Sequence, residues 1–131
     1  MQIWHTPFKT PTHPSVSFSD NSGSGGVELE VRPNGLDGDT AYSIKFELLV
    51  AFRAYVEGIE PDDFSSHNFS HESCCYLTDD SGWKREFTSN LRHIETCLDQ
   101  PSTELNHFVI LGGDWIVEIL GCKPAILELK S

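Results

Sequence analysis

The clearest pattern in the chain is a two-residue alternation from Tyr42 to Glu57. Tyr42, Ile44, Phe46, Leu48, Val50, Phe52, Ala54 and Val56 fall on one side; Ser43, Lys45, Glu47, Leu49, Ala51, Arg53, Tyr55 and Glu57 fall on the other. Side chains alternate across an extended chain, so this period predicts one long β-strand with a continuous apolar face. The second face is charged at both ends and apolar only at Leu49 and Ala51, the pattern of a sheet packed on one side and wet on the other. Leu, Ala, Glu and Arg also favour helix, so a helix over 44–56 is the rival reading. The length of the unbroken alternation favours the strand.

Val27 to Arg32 alternates in the same way and is stopped by Pro33-Asn34-Gly35. Asn-Gly followed by Asp37-Gly38-Asp39 is strong turn chemistry, so 27–32 and 41–57 are expected to pair as an antiparallel hairpin. Ser73 to Thr78 is read as a short strand. Trp83, Phe87, Leu91, Ile94 and Leu98 recur at helical spacing and lie down one face. They predict a helix over 82–99, capped by Asp80 or Ser81 and stopped at Asp99-Gln100-Pro101. His107–Leu111, Asp114–Leu120 and Ala125–Leu129 are three apolar runs separated by Gly112-Gly113 and by Gly121-Cys122-Lys123-Pro124, which reads as a meander with a tight first turn. Strands, one helix and strands again predict an α+β fold: about five mostly antiparallel strands packed against one main helix at about 82–99.

Two regions are expected. Residues 1–26 form an extended arm ending in a Ser/Gly connector, and 27–131 form a single α+β domain. Ile3, Trp4, Phe8, Val16 and Phe18 are unfavourable in water, so the arm is expected to dock, on its own domain in preference to a partner.

Charge changes the picture more than size does. Nine basic against 20 acidic residues give a net charge of −11 over 131 residues. That balance disfavours nucleic acid and anionic membrane as partners and suits a protein partner with a basic surface. No stretch approaches the roughly 20 apolar residues of a membrane span. The N-terminus carries no basic segment followed by an apolar run. A soluble, cytoplasmic protein is expected.

Candidate chemistry is sparse. His67 and His71 would share a face if their segment were helical, and with Glu72, Cys74 and Cys75 they are the densest set of ligand types for a transition metal. The plainer reading is a polar loop beside two buried thiols. Cys74, Cys75, Cys97 and Cys122 make no CxxC spacing, and free thiols are expected. No Gly-x-Ser-x-Gly or phosphate-binding glycine loop is present. Trp115 follows a tight turn; it belongs either to the core or, with Trp83 and Tyr55, to an aromatic groove whose acidic rim is Asp114, Glu118 and Glu128. The chain is therefore read as a non-enzymatic binding module, immunity- or adaptor-like, for a basic protein. The alternatives are a small metal- or thiol-dependent enzyme centred on His67, His71, Cys74 and Cys75, and a structural homodimer subunit.

Overall fold

The computed structural model describes residues 1–8, 14–21, 26–33, 40–56, 58–61, 63–64, 69, 72–88, 105–113 and 115–129. Seven strands form one sheet: β1 (Gln2–Ile3), β2 (Ser15–Asn21), β3 (Gly26–Arg32), β4 (Ala41–Tyr55), β5 (Cys75–Thr78), β6 (Asn106–Leu111) and β7 (Ile116–Leu129). Their order is β1-β5-β6-β7-β4-β3-β2, and every neighbouring pair is antiparallel. Among the described residues there is one α-helix, α1 (Gly82–Thr88). No described helix is long and apolar enough to cross a membrane.

The fold is thus mostly β, which corrects the α+β expectation of about five strands under a main helix. The helix expected over 82–99 is helical at Gly82–Thr88, and its remainder lies outside the described residues. The extra strands come from the segment read as an arm, which contributes β1 and β2 to the same sheet. On one side of that sheet, the apolar cover expected from the helix is supplied by the N-terminal residues. Trp4 packs on Phe108 and Phe46 with ring centroids 4.7 and 6.5 Å away, and Phe8 packs on Tyr42 at 5.2 Å. The Trp4 amide also donates to the Cys75 carbonyl at 3.0 Å, tying this strap to the edge of β5.

The third correction concerns the C-terminal meander. Asp114–Leu120 and Ala125–Leu129 do not form separate strands; Gly121-Cys122-Lys123-Pro124 runs inside the continuous β7. Lys123 takes a positive φ of 51°, which bends the strand without ending it. Pro124 is tolerated because β6 pairs with β7 only up to Gly121, and among the described residues no strand pairs beyond it on that side to need the missing N–H.

Strands β4 and β7 form the central ladder, from Ala41↔Leu129 to Tyr55↔Ile116. A register shift between Leu49 and Ala51 breaks the expected continuous apolar face. Tyr42, Ile44, Phe46 and Leu49 pack with the main core around Leu29, Val31, Phe108, Val117 and Ile119. Beyond the shift, Phe52 is 45% exposed while Tyr55 is buried, so the side read as wet is the covered one there.

Candidate functional site

Two groups of side chains on the last turns of β4 and the first of β7 have chemistry beyond packing. The first centres on Glu118, which faces Arg53 across the β4–β7 ladder and Val109 across the β6–β7 ladder and has no exposed surface. A buried carboxylate needs donors. Glu118 Oε2 accepts from Arg53 Nε at 2.7 Å and from the Tyr55 hydroxyl at 2.8 Å, while Oε1 lies 2.7 Å from His107 Nε2. Burial alone would raise the Glu118 carboxyl, but the bonds from His107, Arg53 and Tyr55 outweigh it and hold the group down at about 2.

The network extends outward in two directions. A carboxylate only accepts, so His107 donates from Nε2, and Nδ1 faces Ser81 Oγ at 2.8 Å. Ser81 Oγ also accepts the Lys84 amide at 3.1 Å, which makes Ser81 the N-cap of α1. On the other side, Arg53 donates to Asp63 at 2.8 Å, and its guanidinium carbon stands 4.3 Å from the Trp83 ring centroid. Burial opposes the Arg53 charge, yet the carboxylates of Glu118 and Asp63 hold the guanidinium above its ordinary value. Burial pushes the Tyr55 hydroxyl up, reinforced by its bond to Glu118.

Ser81, His107 and Glu118 have the residue types of an acyl-transfer triad, but a nucleophile must reach its substrate. Ser81 is 4% exposed and its oxygen holds a helix cap. The arrangement clamps α1 and the Asp63 segment to the sheet.

The second group lies where the sheet curls. Val16, Ser17 and Phe18 of edge strand β2 approach Phe52 and Ala54 of β4 and Trp115 of the β6–β7 turn, lining a groove of about 440 Å³. Phe18 and Phe52 stack with centroids 4.8 Å apart and planes 25° apart, and Trp115 is 47% exposed. The turn is held to β2 by the Gly113 amide, which donates to the Pro14 carbonyl at 2.9 Å. Gly112 permits this approach: a Cβ there would meet the Trp115 carbonyl oxygen at 2.5 Å and that of Pro14 at 3.1 Å.

The structure separates the residues expected to form one aromatic groove with an acidic rim. Trp115 opens onto the groove, whereas Tyr55, Trp83 and Glu118 meet inside the buried network. Glu128 lies on the far half of β7, opposite Tyr42, and Asp114 falls outside the described residues. His67 and His71 also fall outside them. Among the described residues no group of three or more His, Cys, Asp or Glu is arranged to hold a metal ion. Cys74 and Cys75 are buried thiols with sulfurs 3.6 Å apart; their mutual hydrogen bond lowers the Cys74 thiol and raises the Cys75 thiol. Arg53 is given no role by the sequence reading beyond its place in the long strand; an Arg inside an alternating apolar run is the signal that would have found it.

The surface charge is uneven in a specific way. Every described Lys and Arg is already engaged: Arg32 with Glu30, Lys45 with Glu28, Arg53 as above, Arg85 with Asp80, Lys123 with Glu47, and Lys84 with the Asp79 carbonyl. No family model matches the chain, and no curated protein or solved structure matches it either.

Proposed function

We propose that this protein is a non-enzymatic binding module that captures a protein partner with a basic surface. The observation that carries the reading is the groove of Val16, Phe18, Phe52, Ala54 and Trp115. Half-exposed aromatic rings on a rigid sheet can fill against a partner's apolar side chains at little entropic cost. The net charge of −11, with the described cations already engaged, supplies the attraction and the steering for a cationic partner. The buried network supports this role at one remove, by fixing the register of β4 and β7 that sets Phe52, Ala54 and Trp115 side by side.

The test compares wild type with Phe52→Asp as immobilised bait for lysate proteins at low and moderate salt. Wild type retains a basic protein and releases it as salt rises, and Phe52→Asp, which keeps the net acidity, does not retain it. Retention indifferent to salt defeats the electrostatic part of the reading. Equal retention by Phe52→Asp removes the groove from it.

A further inference from the structure

The groove has a feature that side chains alone do not explain: the strands around it have unused backbone edges. β3 pairs with β4 only over Tyr42–Lys45, so among the described residues the length from Phe46 to Tyr55 has one neighbouring strand, β7. β2 pairs with β3 along all seven of its residues and, among the described residues, has no strand on its other side. The curl of the sheet brings these two open edges to the same groove, lined by Val16, Phe18, Phe52, Ala54 and Trp115. Across this seam the Gly113–Pro14 bond is the one backbone link among the described residues.

We infer that the partner binds by strand addition, an extended basic segment pairing with the outer edge of β2 and laying alternate apolar side chains over Phe52 and Trp115. This rests on the binding-module reading and deepens it.

Three observations choose the occupant. First, the edge is unprotected: Ser15-Val-Ser-Phe-Ser-Asp-Asn21 contains no Pro or Lys and only one charged residue, whereas the opposite edge, β1, is blunted by being two residues long. Second, the Pro14 carbonyl points outward to Gly113, so by strand alternation the peptide groups of Val16 and Phe18 also point outward. Third, the side chains that alternate with Val16 and Phe18 along β2 are the exposed Ser17 and Ser19, with Glu30 and Glu28 directly beside them on β3. Glu30 and Glu28 already pair with Arg32 and Lys45, and the small serines let long cationic side chains from an added strand approach and share these carboxylates. Edge-to-edge pairing of two copies would instead bring together two chains of −11 each. A basic strand satisfies both faces at once, apolar inward and cationic outward, over a length of roughly 23 Å for seven residues.

The probe is an end-capped seven-residue peptide alternating valine and lysine, titrated into the full chain while tryptophan fluorescence is followed. Trp4 and Trp83 are buried away from solvent, so the change in emission on binding reports on Trp115. The comparison peptide has the same side chains but is N-methylated at alternate amides, which removes strand donors and keeps the charge. Saturable binding is expected, weakened roughly ten-fold or more by N-methylation, the equivalent of one or two lost hydrogen bonds. Val16→Pro, which removes an outward amide and leaves the bonds to β3 intact, is expected to weaken binding similarly. Equal, salt-sensitive binding of both peptides overturns strand addition and leaves the basic-partner reading standing. Binding of neither peptide overturns both. Shielding of Trp115 in a dimer seen by sedimentation gives the edge to a second copy and overturns the inference.

Discussion

Strands β4 and β7 carry two regions of opposite character on their two sides. Around Glu118 the polar atoms of Arg53, Tyr55 and His107 are within hydrogen-bonding distance of one carboxylate that water does not reach. One residue along, Phe52 and Ala54 face a groove of about 440 Å³ whose bordering strands have open edges. The first region has its needs met within the chain and holds it together. The second has apolar surface and strand edges for which the described chain offers no complement. Interactions that stabilise a fold and interactions left for a partner are thus one pleat apart, which lets a single strand serve both.

The comparison breaks hardest at Glu118. Glu118→Ala takes the acceptor from Arg53 Nε, the Tyr55 hydroxyl and the buried His107 ring, leaving Arg53 only its Asp63 partner, and a loss of about 3–5 kcal/mol is expected in urea unfolding. Acid attacks the same group. Glu118 is held near 2 against an ordinary 4.5, a depressed carboxyl. Its contribution is therefore present in full above the ordinary carboxylate range and is lost as pH falls from there toward 2. The linkage is about 3 kcal/mol, read from denaturation midpoints across that window, and Glu118→Gln should flatten the profile. Ser81→Ala removes the cap of α1 and one arm of the network, with about 1 kcal/mol expected in the same assay. Phe52→Asp should act the other way round. Its ring is 45% exposed, so stability should change by about 1 kcal/mol or less while partner binding is lost. If Phe52→Asp unfolded the protein, or Glu118→Ala left it intact, the division between the two regions would fail.

The strands were legible because alternation is a local signal. Val27–Arg32, the long run through Tyr42–Tyr55 and His107–Leu111 lie where the period puts them. The parity of the long strand was not, since the register shift between Leu49 and Ala51 is a property of its pairing with Gly121 and Leu120 of β7, far away in sequence. Gly121-Cys122-Lys123-Pro124 reads as a turn by composition, but as part of a strand open on one side it needs no complete ladder. The polar-looking Ser15–Asn21 hid β2, whose described apolar side chains against the core are Val16 and Phe18. The Glu118 network was illegible for a different reason. Its members come from β4, β6, β7 and the cap of α1, and only the sheet order brings them together.

The most direct measurement is residue-resolved amide hydrogen exchange, with and without the alternating valine–lysine peptide. The account predicts added protection at the outward amides of Val16 and Phe18, little change at Ser17, which already faces β3, and none at His107 or Glu118. Protection spread across the acidic surface, or absent from Val16 and Phe18, would contradict it.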